Sequence, residues 1–268
     1  MQLDKKYLYD TLQKQYYAHV PFVMEDKVYA EAIQAFFKFL DAPDNIKNHL
    51  DFKITDVHRR GDIGFKHRDP GDDIYNDSKD FFHFHPAIFE KYADFIEQNP
   101  VVKDFMDKAL PIWQLTYETI CSILKIFDQD FPGVSNYFFK TQYPHVVLRF
   151  LKYNWQQSGE NLAKPHFDSG SLTLAISESG PGLRIGSGPE DLQIVEHKDN
   201  QAIFMLSSNF KKVMDTEKFK PGWHDVIQLD KTLIGQPFAR YAIVAFIEAD
   251  GVDALSRDET HKWYTPRL

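Results

Sequence analysis

From about His145 onward the chain is written in short runs rich in Val, Ile, Leu and Phe: Val146 to Tyr153, Ser171 to Ser177, Gln193 to Glu196, Ala202 to Leu206, Lys211 to Met214 and Arg240 to Glu248. Gly180-Pro181-Gly182 and Gly186-Ser187-Gly188-Pro189 punctuate them. Runs this short, bounded by turn-setting residues, are strands, and at this spacing they imply an antiparallel sandwich or barrel. The first half reads differently. Tyr29, Ile33, Phe36, Phe37 and Leu40 recur at helical spacing, as do Phe105, Ala109, Trp113, Tyr117, Ile120, Leu124 and Phe127, with Pro111 expected to kink or break that second helix. A shorter helix is expected from Pro86 to about Asn99-Pro100, and the Gly-, Asp- and Pro-dense stretch from Arg59 to Asp80 is expected as loop or irregular strand. The expected architecture is mainly β with a helical N-terminal half: a helical region over 1–140 packed on a β-core over 141–268, one unit with a soft boundary near residue 140.

Composition narrows the function. With 43% hydrophobic and 15% aromatic residues among 268, including 23 Phe, the chain can bury enough large side chains to offset the entropy of ordering. The formal charge of -8, with no dense Lys and Arg cluster, argues against a nucleic-acid partner. The longest apolar run, Tyr241 to Ile247, is too short to cross a bilayer, and the N-terminus lacks a secretory pattern, so a soluble, cytoplasmic protein with no membrane partner is expected. The single cysteine, Cys121, has no internal partner and falls in an apolar helical pattern, where a buried, inert thiol is expected.

The chemistry sits in Pro165-His166-Phe167-Asp168. Residues two apart on extended backbone point the same way, so one imidazole and one carboxylate converge. A lone His-x-Asp is weak, since most such histidines are surface or core residues. His224 changes the odds: it follows after several strands, far enough for the chain to travel round a small barrel and return to the same mouth. Two His and one carboxylate leave metal positions open, as Fe(II) oxygenases require, whereas a structural zinc site closes its shell with four ligands. Arg240 then opens the last apolar strand, where a permanent charge is costly unless an anion meets its fork. In isolation Arg240 reads better as a surface strand end; given the upstream triad, the anion-binding reading takes precedence.

The C-terminal half resembles the isopenicillin N synthase-like branch of the 2-oxoglutarate and Fe(II)-dependent dioxygenases. The similar segments occur in order: Val147-Leu148-Arg149-Phe150-Leu151-Lys152-Tyr153, His166-Phe167-Asp168 with Ser169-Gly170-Ser171-Leu172-Thr173-Leu174, Gly182-Leu183-Arg184-Ile185, Phe219 to Val226, and Arg240-Tyr241-Ala242. Gly64-Phe65 and Asp77 to Phe84 add an echo in the first half. The resemblance implies a distorted jelly roll, the double-stranded β-helix, with Fe(II) held by His166, Asp168 and His224. It further implies 2-oxoglutarate as co-substrate with O2, Arg240 on its distal carboxylate, Tyr153 hydrogen-bonding it, and oxidation of a small-molecule substrate, most often hydroxylation, with release of succinate and CO2. Two departures stand out: Ala242 occupies the place of a serine, and Leu151 that of an asparagine.

Competing readings are an iron oxidase of the isopenicillin N synthase type that uses no 2-oxoglutarate, and a non-catalytic jelly-roll binding protein. His83-Phe84-His85 is a second, weaker metal candidate. His58, His67 and His145 read as surface or loop histidines, with His67 and Arg68 placed at the pocket entrance, and Trp223 reads as packing. Substrate identity, reaction outcome and oligomeric state are beyond a single sequence.

Overall fold

Twelve described strands in two antiparallel sheets form the frame of the computed structural model, which describes residues 3–54, 62–69, 78–155, 161–229, 237–253 and 255–264. In chain order they are β1 Tyr17–Pro21, β2 Asp51–Lys53, β3 Asp62–Arg68, β4 Lys79–Phe84, β5 Val146–Tyr153, β6 Asn161–His166, β7 Leu172–Glu178, β8 Leu183–Gly186, β9 Gln193–Ile194, β10 Gln201–Leu206, β11 Trp223–Ile227 and β12 Arg240–Ile247. The major sheet runs β1-β10-β7-β12-β5-β4-β3-β2, and the minor sheet β6-β11-β8-β9. This is the expected jelly roll with helices in its N-terminal half.

The major sheet draws strands from both sides of residue 140: β1 pairs with β10 and β4 with β5. The first half is therefore not helical alone. His58 and half of the Arg59 to Asp80 stretch, 59–61 and 70–77, lie outside the described residues, but 62–68 and 79–80 within it are strand. Helix α1 covers Lys5–Gln15, with Asp4 capping its N-terminus by accepting from the Tyr7 N–H. α2 spans Asp26–Leu40 and α3 Asp44–Lys47, and the expected single helix after Pro86 is two short ones, α4 Ala87–Lys91 and α5 Ala93–Gln98.

α6, Pro100–Phe127, runs unbroken through Pro111. A proline inside a helix costs about 3 kcal/mol, but α6 buries Phe105, Met106, Ile112, Ile120, Ile123, Leu124 and Phe127, each large side chain contributing roughly 1.5–3 kcal/mol. Burial wins and the helix continues. Its aromatic face meets α2 and the outer face of the major sheet, where Phe36, Phe39, Phe82, Phe105 and Phe150 form one ring-to-ring cluster. Cys121, on the same helix, is only half-buried, and burial pushes its thiol pKa up.

The expected strand over Lys211 to Met214 is instead a helical turn, α7 Phe210–Val213. Its two apolar anchors, Phe210 and Met214, stand four apart, which seats both on one helical face and buries both. α8, Arg257–Tyr264, ends the described chain.

Candidate metal centre

Between the two sheets lies a cavity of about 410 Å³. Alternate residues of the major sheet form one wall, including Arg149, Leu151 and Tyr153 of β5 and Val244 and Phe246 of β12, while His166 and His224 come from the minor sheet. A hollow of similar size, about 430 Å³, lies between the chain start and α6 and is lined by residues such as Leu3, Val20, Leu115 and Ile126. Among the described residues, only His166, Asp168 and His224 form a group able to hold a metal, with one ligand atom from each within 4.8 Å of the others.

The strand register brings them together. His166 ends β6 and stands opposite His224 on β11, so the imidazoles are neighbours across one antiparallel pair, with ring centres 4.5 Å apart. Asp168, two residues on, is buried between the sheets and accepts a 2.7 Å hydrogen bond from Thr173 Oγ1.

The hydrogen bonds decide which nitrogens face inward. His166 Nδ1 donates to the Lys164 carbonyl at 2.7 Å and His224 Nδ1 to the Gly222 carbonyl at 3.0 Å. A carbonyl only accepts, so in the neutral ring Nδ1 carries the proton and Nε2 the lone pair. The two Nε2 atoms approach different oxygens of Asp168, at 3.6 Å and 3.7 Å. Lone pairs aimed at a carboxylate repel one another unless a cation lies between them, and these spacings are too long for direct hydrogen bonds. This donor set fits a divalent metal, and backbone carbonyls that fix the imidazole tautomer are the usual outer support of such a site.

β11 is held by Asp225, the residue after His224. Its fully buried carboxylate takes Arg184 on both oxygens, at 2.9 Å and 2.6 Å, and the Asn161 amide at 2.8 Å, joining β11 to β8 and β6. The carboxylate raises the Arg184 pKa. Trp223 packs edge-on against Phe167, with ring centres 4.8 Å apart.

Arg240 and Tyr153 stand opposite each other on β12 and β5. Tyr153 lines the cavity. Arg240 is 4% exposed and lies behind the lining, where its Nη2 pairs with Glu178 of β7 while Nε and Nη1 have no hydrogen-bond partner among the described residues. Burial pulls its pKa down to about 10, which still leaves it charged at neutral pH. Gly182 makes room for it: φ there is +148°, and a Cβ would sit 2.6 Å from Arg240 Nη1 and 2.4 Å from the Ile227 carbonyl oxygen.

The second histidine pair has another job. His83 Nδ1 donates to the Asp62 carbonyl and Nε2 accepts from Arg149 Nε at 2.8 Å. His85 Nε2 donates to the Pro144 carbonyl and Nδ1 accepts from the Ala87 N–H. All four nitrogens are committed to protein partners, so this pair is structural. His145, expected at the surface, is buried beside Asp250, its Nδ1 3.6 Å from a carboxylate oxygen. Arg68 lines the cavity as expected, whereas His67 is exposed and held by Asp80 and Asp69.

The sequence reading passed over Lys79, Arg149 and Glu178. Arg149 carried a usable signal, for it interrupts an apolar strand two and four positions before Leu151 and Tyr153, on the same face.

No protein-family model matches the chain, and a search of curated proteins gives no match. Solved structures do. The Arabidopsis thaliana dioxygenase for auxin oxidation, in its 2-oxoglutarate complex, superposes with a TM-score of 0.68 over 94% of this chain and 90% of its own, at 16% identity. The chain has the fold of the 2-oxoglutarate and Fe(II) oxygenases. A full-length Neurospora crassa protein, in complex with alpha-KG (2-oxoglutarate) and thymine, matches at TM-score 0.67 and 14% identity, covering 91% of this chain and 80% of its own. The rice dioxygenase for auxin oxidation matches at 0.64 and 17%, covering 94% and 81%.

Among the described residues no helix is long and apolar enough to cross a membrane.

Proposed function

We propose that this protein is an Fe(II)- and 2-oxoglutarate-dependent oxygenase that oxidises, most often by hydroxylation, a small-molecule substrate. The observation that carries the reading is the inward aim of two Nε2 atoms at the two oxygens of one buried carboxylate, with each ring's Nδ1 held by a backbone carbonyl. His166, Asp168 and His224 would hold the iron on one side and leave the cavity side for co-substrate and O2. Bound Fe(II) with 2-oxoglutarate and O2 supplies the oxidising power, the co-substrate leaving as succinate and CO2 while one oxygen atom goes to the substrate.

The chain's own groups orient and shield. Lys164 and Gly222 carbonyls keep the proton on each Nδ1, and Thr173 holds Asp168 by one oxygen. Arg240 and Tyr153 would take the distal carboxylate of the co-substrate: the Nε and Nη1 groups of Arg240, buried and unmatched among the described residues, are donors of the kind a carboxylate satisfies. Leu151, Val244, Phe246 and Phe167 keep the cavity walls apolar, limiting water around the reacting atoms. The small-molecule assignment agrees with the thymine bound to the Neurospora crassa protein and with the auxin named for the two plant enzymes.

The test is anaerobic reconstitution with Fe(II), followed by O2 and 2-oxoglutarate, with succinate measured for the wild type and for His166→Ala. Succinate from the wild type alone supports the reading; equal, negligible release from both removes it. A second reading, an iron oxidase that draws all electrons from its substrate, is favoured by the Glu178 carboxylate already on Arg240 and by Ala242 in place of serine. Oxygen uptake that is independent of 2-oxoglutarate would select it.

A further inference from the structure

We propose that Glu178 sets co-substrate choice: it gives Arg240 a carboxylate from within the protein, so the cavity takes 2-oxo acids with an uncharged tail nearly as well as 2-oxoglutarate. The inference rests on the oxygenase reading above and refines the co-substrate class of that same site.

Glu178 is the last residue of β7 and stands opposite Ala242 of β12. Ala242 and Arg240 are two apart on one strand and share a face, so the glutamate falls on the diagonal beside the arginine. Its Oε2 pairs with Arg240 Nη2, and the two side chains are 7% and 5% exposed. Ala242 brings no polar side-chain atom to that face.

The pair is confined. Ser179, the next residue, donates its N–H to the Tyr241 carbonyl at 3.1 Å, and its Oγ accepts from the Tyr241 N–H at 3.0 Å, which closes the backbone beside the glutamate. The arginine head lies against the main chain at Gly182, where even a Cβ would not fit. On the other carboxylate oxygen, His197 places Nδ1 3.2 Å from Glu178 Oε1 while its Nε2 donates to the Ala175 carbonyl at 3.0 Å. Burial lowers the His197 pKa from 6.5, so the ring is neutral at neutral pH, and its Nδ1 makes no hydrogen bond among the described residues. Arg240 is therefore the cation that balances Glu178.

A distal carboxylate arriving here would make two anions on one cation. A guanidinium has two bidentate edges, Nε with Nη2 and Nη1 with Nη2; Arg184 uses the first on Asp225. On Arg240 Glu178 engages Nη2 alone, and Nε and Nη1 are buried without hydrogen-bond partners among the described residues. The newcomer can take one edge at most, and only beside the Glu178 carboxylate. In a site this buried, repulsion between the anions offsets most of the attraction to the guanidinium they share. An uncharged tail forgoes both effects and loses little.

The experiment uses full-length protein loaded with Mn(II), which does not support turnover, with binding read by calorimetry at neutral pH. The probes are 2-oxoglutarate and 5-methyl-2-oxohexanoate, in which an isopropyl group of the same shape replaces the distal carboxylate. The wild type is expected to bind the two within about tenfold of each other. Glu178→Gln keeps an oxygen for Nη2 and removes the charge. It is expected to bind 2-oxoglutarate at least about tenfold more tightly, while affinity for the isostere stays within about threefold. A glutamate that merely positioned Arg240 would give the opposite sign, so unchanged or weaker 2-oxoglutarate binding in the variant overturns the proposal. A wild type that prefers 2-oxoglutarate by more than about tenfold overturns it too, and that comparison decides the matter should Glu178→Gln fail to fold. Wild-type protein that binds no Mn(II), or binds neither keto acid with Mn(II) in place, would sink the oxygenase reading and this inference with it. Binding of both keto acids with a strong preference for 2-oxoglutarate would sink the role of Glu178 alone.

Discussion

The chain holds two pairs of neighbouring histidines between or beside its sheets, and they do opposite things. His166 and His224 each give Nδ1 to a backbone carbonyl and turn Nε2 toward Asp168. His83 and His85 have both nitrogens engaged by protein groups, a carbonyl on one side and an Arg149 or backbone N–H donor on the other. Residue type does not separate the pairs, and burial sets apart only the half-buried His166; the partner of the second nitrogen is what divides them. A histidine becomes available to a metal when the protein satisfies one nitrogen and leaves the other facing a shared anion.

The strongest way to break this contrast is to truncate one member of each pair. His166→Ala is expected to lose stoichiometric Fe(II) and bring 2-oxoglutarate turnover to background, while His85→Ala retains metal binding as judged by anaerobic titration. The same two variants should diverge in stability. His85→Ala strands the Pro144 carbonyl and the Ala87 N–H in a buried site, and at about 1–3 kcal/mol for each unsatisfied group a loss of roughly 3 kcal/mol is expected in urea unfolding. Metal-free His166→Ala should unfold within about 0.5 kcal/mol of the metal-free wild type.

Acid sharpens the contrast further. Burial holds the His85 pKa down from 6.5 to about 4, so the folded state keeps the ring neutral where the unfolded chain already protonates it. The sign follows: stability from this group is complete above pH 6.5, falls as pH drops toward 4, and levels off below, a decline of up to about 3 kcal/mol. Urea midpoints of the metal-free protein between about pH 7 and pH 4 measure it, and His85→Gln should flatten that part of the curve. A smaller effect is expected one step behind the metal ligands. Thr173→Val removes the hydroxyl that donates to Asp168 and should weaken metal binding about tenfold, with the fold intact by circular dichroism. Smallest of all, Ala242→Ser should restore a hydroxyl near Arg240 and lower the KM for 2-oxoglutarate by about two- to tenfold, a neutral hydrogen bond contributing roughly 0.5–1.5 kcal/mol.

The sequence showed some of this and concealed the rest for physical reasons. β5, β7, β10 and β12 are legible because they are apolar runs of six to eight residues between turn signals. β4 was not, since Phe81, Phe82 and Phe84 are all buried: one sheet face meets the aromatic cluster under α2 and α6 while the other turns toward the cavity side, and the alternation that marks a half-exposed strand disappears. β1 is a five-residue strand at the sheet edge ending in Pro21, too short to outweigh its surroundings. Of the site, the pairing of His166 with Asp168 was legible from local spacing, and the approach of His224 followed from counting strands. Glu178 on Arg240 was not, because a contact between two strand ends depends on register, which residue types alone leave open.

At Gly182, by the far end of the cavity, the main chain of one sheet lies directly against the arginine head of the other, with no side chain between them. The depth available beyond Tyr153 is accordingly set by peptide groups, which do not rotate out of the way as side chains do. With a keto acid bound at Arg240 as proposed, accommodating a longer one would require shifting a strand rather than rotating a side chain.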